Sequence, residues 1–391
     1  ACGLGAVYGG ATFCSWYPIT PSTSVAEGFE KYASKYRVDP QTGKNNYISV
    51  QAEDELAAVG MAIGANWNGA RGFTATSGPG ISLMSEFLGL AYFAEVPLVI
   101  FNIQRGGPST GMPTRTQQSD ILSCAYASHG DTKHVLLFPE DPQECFEFSA
   151  EAFNLAERLQ TPVFVISDLD IGMNDWVTDK FEWDDEQKYD RGKVLKAEDL
   201  DKMDNFGRYL DVDDDGICYR TYPGTHPEKG AFFTRGTSHD EYARYTENGD
   251  INEQTLTRLV KKFRTASELV PDPIINLSEK QGSSGVIFYG STSAAMYEAK
   301  DILNENNIEV DLMRIRSFPF NLDVWEFIEN HDLIYVIEQN RDSQMRTLIM
   351  AEGGISAEKL RSLVWFNGDP IQAKFIAKKI YERESQQALI T

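Results

Sequence analysis

"RGFTATSGPGISLMSEFLGLAYFAEVPLVIFNIQRGGPSTG", Arg71 to Gly111, carries the pattern that decides the fold. An apolar run in "RGFTAT" enters a Ser-Gly-Pro-Gly turn. "ISLMSEFLGLAYFAEV" then has helical spacing, and Pro97 opens a second buried run that ends in a glycine loop. Strand, helix, strand, with runs that are apolar throughout, predicts a parallel sheet covered on both faces. Ligands of such a sheet sit at the carboxyl ends of its strands.

The same alternation extends on both sides, up to about residue 175. "NYISV", Asn46 to Val50, reads as a strand, and the small-residue segment from Glu53 as a helix closed by Gly69. "DPQECFEFSAEAFNLAERLQ" is another helix, followed by the strand "VFVISDLDIG". From about Trp176 the composition turns charged and aromatic with weak periodicity, which predicts an irregular extension leading to a polar helix that ends before Pro271. A second, smaller α/β unit follows, from "GVIFYGST" to a last helix through "IQAKFIAKKIYERES". The expected organisation is therefore 1–175, 176–278 and 279–391.

Composition narrows the function classes. Of 391 residues 42% are hydrophobic and 12% aromatic, enough for a large core. The 58 acids against 36 bases give a net charge of −22, which argues against binding a nucleic-acid backbone. Cys2, Cys14, Cys124, Cys145 and Cys218 are scattered singly, without the pairing of a zinc or cluster site. No apolar run reaches 18 residues and no signal peptide is visible, so no membrane is expected and the compartment is expected to be the cytoplasm. The chain starts at Ala1, either after loss of an initiator methionine or after a preceding N-terminal region.

Two motifs are decoys. "DVDDDG", Asp211 to Gly216, imitates half of a calcium loop, but Tyr222 stands where the bidentate glutamate belongs. "YGSTSA" at Tyr289 is a strand-to-helix glycine turn, and no phosphate-binding glycine motif occurs.

Four elements converge on the carboxyl edge of the sheet. In "YPITPSTSVAE", Tyr17 to Glu27, Pro18 and Pro21 hold Thr20 in a stiff extended corner. Glu53, in "QAEDEL", follows a strand and precedes a helix; it is either a functional acid or a first-turn acid favoured by the helix dipole, as are Asp54 and Glu55. The Ser77-Gly78-Pro79 turn presents backbone amides. Arg105 is delivered by a buried strand into a Gly-Gly-Pro loop, with Thr110, Thr114 and Arg115 close behind. A guanidinium there is either a fork for a carboxylate or a salt bridge that anchors the loop. Together they outline a pocket for an anionic substrate.

"YPITPSTS", "AEDELAAVGMAIGANWNGARGFTATSGPGISLM", "NIQRGGPSTGMPTRTQQSD", "SHDEY" and "VIEQNRDSQ" resemble the α subunit of 2-oxoacid:ferredoxin oxidoreductases, most closely the 2-oxoglutarate type. The resemblance implies a pyrimidine-type thiamine-diphosphate-binding domain followed by a transketolase C-terminal-like domain. It implies oxidative decarboxylation of a 2-oxoacid with coenzyme A, succinyl-CoA being the product from 2-oxoglutarate, and transfer of the electrons to ferredoxin. Thiamine diphosphate would be shared with a β subunit that holds Mg²⁺ and a [4Fe–4S] cluster, in an (αβ)2 assembly. By the same match Glu53 would hydrogen-bond N1′ of the aminopyrimidine and set its tautomer, and Pro18 would line the cofactor. Thr20 and Arg105 would hold the substrate's carboxylate and keto group, and Thr114 would contact the substrate. Pyruvate or another 2-oxoacid, an arylpyruvate enzyme, and a non-catalytic assembly subunit are the alternatives. Some members of the family carry a further N-terminal domain.

Overall fold

The computed structural model describes residues 1–279 and 284–388; the expected boundary at 278/279 adjoins residues 280–283, which lie outside the described residues. The chain begins with helix α1 (Cys2–Tyr8), strand β1 (Phe13–Trp16) and α2 (Thr23–Tyr36), and continues through β2 (Ile48–Gln51), α3 (Glu55–Trp67), β3 (Gly72–Thr76), α4 (Gly78–Phe93) and β4 (Leu98–Gln104). A short α5 (Ile121–Ala125) leads to β5 (Val135–Leu137), α6 (Pro142–Leu159), β6 (Pro162–Asp168) and α7 (Leu169–Met173). After α8 (Ala197–Asp201) and α9 (Gly249–Ala266) come β7 (Ile274–Asn276), β8 (Ser284–Tyr289), α10 (Thr292–Glu305), β9 (Val310–Ile315) and β10 (Ser317–Phe318). The remainder is α11 (Leu322–Glu329), β11 (Ile334–Glu338), α12 (Gln344–Gly353), β12 (Leu360–Val364) and α13 (Ala373–Ala388).

Two sheets result. The first runs β10-β5-β6-β4-β3-β1-β2 and is parallel but for β10, which pairs antiparallel with β5 through Ser317–Leu137 and Phe318–Leu136. The second runs β12-β11-β8-β9-β7, parallel except for the edge strand β7. The apolar runs quoted at the outset are β3 and β4, neighbours in register from Phe73–Val99 to Thr76–Asn102, with every residue of both buried. Burial on both faces is why they lack the alternation of a half-solvated strand.

One core joins the two sheets. It contains Leu98, Ile100, Phe164 and Ile166 of the first and Ile287, Met313, Ile334 and Val336 of the second. The opposite face of the first sheet is sealed by α1, α2 and α6 through residues such as Ala6, Phe29 and Phe153. A packed side chain of this size contributes about 1.5–3 kcal/mol on burial, so the shared core ties the smaller unit to the first sheet.

The segment between α7 and α9 is largely without regular structure, yet it is anchored by buried charge. Arg208 donates from Nη2 to the main-chain oxygen of Glu95 at 2.9 Å. Glu95, whose φ is +55°, is fully buried and accepts from Arg258 Nη2 (2.5 Å) and Lys262 Nζ (2.8 Å). Glu157 likewise receives Arg71 Nε at 2.8 Å and pairs with Arg191 and Arg220. In the decoy turn, Asp211 accepts from its own loop at Gly216 N (3.0 Å), and Lys193 and Lys261 pair with its acids.

Candidate functional site

The carboxyl ends of β1, β2, β3 and β4 lie side by side in the first sheet, so the four expected elements are neighbours by topology. Pro18 and Thr20 are exposed on the turn between β1 and α2, in which the Thr20–Pro21 peptide is cis. The corner is held by Thr23, whose Oγ1 accepts from Ile19 N at 3.0 Å, and by Ser22, whose Oγ donates to Ile19 O at 3.2 Å.

The three acids of "QAEDEL" separate into three roles. Asp54 is the helix cap: it is extended (φ −159°, ψ 178°) and its Oδ1 accepts from Ala57 N at 2.6 Å. Glu53 is exposed before the helix, and its carboxylate has no hydrogen-bond partner among the described residues. Glu55 is only 5% exposed, in the first turn of α3. Its side chain fills the space left by Gly80, where an added Cβ would come within 2.8 Å of Glu55 Cγ and collide with Thr76 Oγ1. Its carboxylate too has no hydrogen-bond partner among the described residues. The expectation placed the functional acid at Glu53; the side chain that packs against the Ser77–Gly80 turn is that of Glu55.

Arg105 follows β4 and is 7% exposed. Nη1 donates to the main-chain oxygen of Thr20 at 2.6 Å, and the buried Nε has no partner. No carboxylate stands within ion-pair distance of it among the described residues, so the salt-bridge reading of this arginine does not hold. Beyond it the chain turns back on itself: Gly106 N donates to Arg115 O (2.8 Å) and Met112 N to Gly106 O (2.7 Å). Gly111, at φ +53°, permits the turn, since a Cβ there would strike the Gly106 carbonyl. Thr114 is exposed on this loop.

A cleft of about 580 Å³ opens beside the arginine, lined among others by Arg105, Gly107, Asp120, Asn340, Arg341 and Phe366. Pro18, Thr20, Glu53, Glu55 and Thr114 do not line it. Its second wall comes from the C-terminal unit, through Asn340 and Arg341, which were quoted above only within the family resemblance, and Phe366, which no motif contained. Gln118 N donates to Gln339 O at 2.8 Å, and Gln118 Oε1 accepts from Gln339 N at 3.2 Å. Asn340 Nδ2 donates to Gln118 O (3.0 Å), and Gln344 bridges Ser119 O (2.7 Å) and Leu122 N (3.1 Å). Beneath them Asp168 accepts from Ser291 Oγ at 2.5 Å. Glu338 accepts from Asn340 Nδ2 (2.8 Å) and from Met345 N (2.7 Å) at the start of α12. Burial raises both carboxyls above their ordinary range, against the hydrogen bonds that hold them down. Only spacing-independent signals, the amides and acids packed into "TQQSD" and "IEQNRDSQ", hinted at this clamp.

A parallel sheet covered on both faces, with a buried glutamate at a glycine turn and a buried arginine outside any ion pair at the same edge, defines an α/β protein with a candidate site at the carboxyl ends of its strands. Comparison with known proteins makes this specific. Residues 4–264 match the family model described as pyruvate flavodoxin/ferredoxin oxidoreductase, thiamine diP-bdg. The chain is 36% identical over 380 residues to "2-oxoacid:ferredoxin oxidoreductase 1, subunit alpha" of Sulfurisphaera tokodaii, covering 95% of this chain and 58% of that one. It is 36% identical over 336 residues to "2-oxoglutarate synthase subunit KorA" of Methanocaldococcus jannaschii, covering 83% and 82%. The 2-oxoglutarate:ferredoxin oxidoreductase of Magnetococcus marinus, solved with 2-oxoglutarate, coenzyme A and succinyl-CoA bound, superposes at a TM-score of 0.86 and 29% identity, covering 97% and 63%. A split-gene transketolase superposes at 0.52 with 9% identity, covering 97% and 94%, a likeness of fold alone. The chain belongs to the pyruvate flavodoxin/ferredoxin oxidoreductase family, in its thiamine-diphosphate-binding part. It spans 58% of the length of relatives such as that of S. tokodaii. Among the described residues no helix is long and apolar enough to cross a membrane, and no group of three or more His, Cys, Asp or Glu is placed to hold a metal.

Proposed function

We propose that this chain is the α subunit, or the greater part of it, of an enzyme that oxidatively decarboxylates a 2-oxoacid, 2-oxoglutarate by preference, with coenzyme A and ferredoxin as co-substrates. The observation that carries the reading is Arg105: a buried guanidinium, fastened at one nitrogen to Thr20 O, with its Nε unpartnered and no carboxylate within ion-pair distance among the described residues. A buried guanidinium that is not locked into an ion pair keeps donors free for the carboxylate of an anionic substrate.

The residues fit thiamine diphosphate through its aminopyrimidine. Glu55 offers a partner-free carboxylate, Gly80 leaves it room, and Pro18 is exposed nearby on the same sheet edge. When bound, the cofactor supplies the nucleophilic carbon and the electron sink for loss of carbon dioxide. Glu55, rather than Glu53, would hydrogen-bond ring N1′ in a low-dielectric setting, where a carboxylate biases a tautomer most strongly. Arg105 would hold the substrate carboxylate and Thr20 would present its hydroxyl, fixing the acid before its carbon–carbon bond breaks. Thr114, on the loop that leaves Arg105, is a further substrate contact. The diphosphate, Mg²⁺ and a [4Fe–4S] cluster would belong to a β partner in an (αβ)2 assembly, in the cytoplasm.

Co-expression with the β partner tests this. Reduction of ferredoxin or a viologen should require 2-oxoglutarate and coenzyme A. Activity with pyruvate and none with 2-oxoglutarate would overturn the substrate assignment, and inactivity with every 2-oxoacid would leave the assembly-subunit reading.

A further inference from the structure

The geometry points to Asp120 as a positioning residue of the anion site: an acid that binds on Arg105 brings a proton onto Asp120, so substrate binding is proton-linked. This rests on the carboxylate-site reading above.

Asp120 occupies the cap position of α5, where an aspartate ordinarily accepts a helix amide, and it makes no such bond. Its side chain is turned the other way. Oδ2 accepts from Asn102 Nδ2 at 3.1 Å, and the carboxylate lies over Gly78, where an added Cβ would stand 3.0 and 3.2 Å from its two oxygens. Its own amide is tied to Gln104 Oε1 at 3.0 Å, one residue before Arg105. Asp120 and Arg105 thus hang from the same strand end and line the same cleft, yet form no ion pair.

The charges facing Asp120 are few. Arg105 is the cation that acts on it. The Cys124 thiol behind it is pushed well up by burial and by Asp120 itself, so it stays neutral. Across the cleft Arg341 and Asp342 pair with each other at 2.7 Å and are exposed. Glu55 lies on the far side of the glycine turn, against Gly80. Arg105 and Asp120 are therefore balanced when the site is empty. A substrate carboxylate adds one negative charge to a confined space, where like charges repel strongly. Taking a proton from solvent onto Asp120 restores the balance. Burial already pushes this carboxyl up to about 6, with Asn102 and Arg105 holding it down, so protonation is within reach near neutral pH.

The test uses the α–β complex and N-oxalylglycine, a non-reacting mimic of 2-oxoglutarate, titrated calorimetrically at pH 6.5 in two buffers of different ionisation enthalpy. If the anion raises Asp120 by one pH unit, about half a proton is taken up per site. Asp120→Asn should bind without uptake, and its affinity should stay flat from pH 5.5 to 8 where the parent weakens up to about tenfold. Asp342→Asn should keep the uptake, which retains a comparison should the Asp120 variant not assemble. Binding without proton uptake in the parent complex, or uptake that disappears in Asp342→Asn, overturns the role of Asp120. Failure to bind at any pH overturns the carboxylate site instead.

Discussion

Arg105 Nη1 and the main-chain oxygen of Thr20 meet at 2.6 Å, joining the end of β4 to the proline corner that follows β1. The side chain of one proposed substrate contact is thereby aimed by the backbone of the other. A charge-assisted bond of this kind is worth about 1.5–3 kcal/mol.

Arg105→Lys removes the planar fork and, with it, either the Thr20 contact or the substrate contact. The Michaelis constant for the 2-oxoacid should rise about 10–100-fold at little cost to assembly. Steady-state kinetics of the α–β complex measure it, and unchanged kinetics would remove Arg105 from the site.

The acids of "QAEDEL" should behave as differently as their placements. Glu55→Gln should lower kcat by about 10²–10⁴-fold. Glu53→Gln, at an exposed carboxylate, should stay near the parent. Asp54→Ala should leave kcat alone and cost about 1 kcal/mol of stability through the lost cap, read as a fall in Tm. Loss of turnover on Glu53→Gln with an active Glu55→Gln would return the role to Glu53.

Gln344→Ala leaves Ser119 O and Leu122 N without their partner. Orphaning a buried polar group costs about 1–3 kcal/mol, and these two are part-buried, so the loss falls toward the lower end. Because Asp120 sits between these residues, the expected sign is a raised Michaelis constant together with a lower Tm. A variant whose Tm falls and whose kinetics do not move would make the clamp purely structural.

Glu95 governs acid stability. Burial alone would raise its carboxyl, but Arg258 and Lys262 hold it far below the carboxylate range. With the folded value depressed, its stabilisation is complete above the unfolded value, about 4.3, and is lost progressively as pH falls below that. Glu95→Gln strands two buried cations and should cost about 3–5 kcal/mol at pH 7. Thermal melts of the parent and variant should converge as pH falls below 4.

Much of the fold was legible because its signals are local. Strands buried on both faces are apolar throughout, so β3, β4, β6 and β8 announced themselves. The long helices α3, α4, α6 and α9 lay close to expectation because helical periodicity and end signals are local too. The strands β10 and β7 were not legible: two or three residues carry no period, and both exist through antiparallel partners far along the chain.

By itself the sequence determined the alternating α/β order, the stiff proline corner, and the set of residues near the sheet's carboxyl edge. These follow from covalent geometry and from periodicity within a few residues. Only the tertiary structure decided which of three consecutive acids is buried against the glycine turn, that Arg105 has no carboxylate within ion-pair distance among the described residues, and that the C-terminal unit grips the loop carrying Asp120. Each of those depends on what a side chain meets after folding, across separations such as the 85 residues from Thr20 to Arg105 and the 222 from Gln118 to Asn340. No local propensity records such meetings.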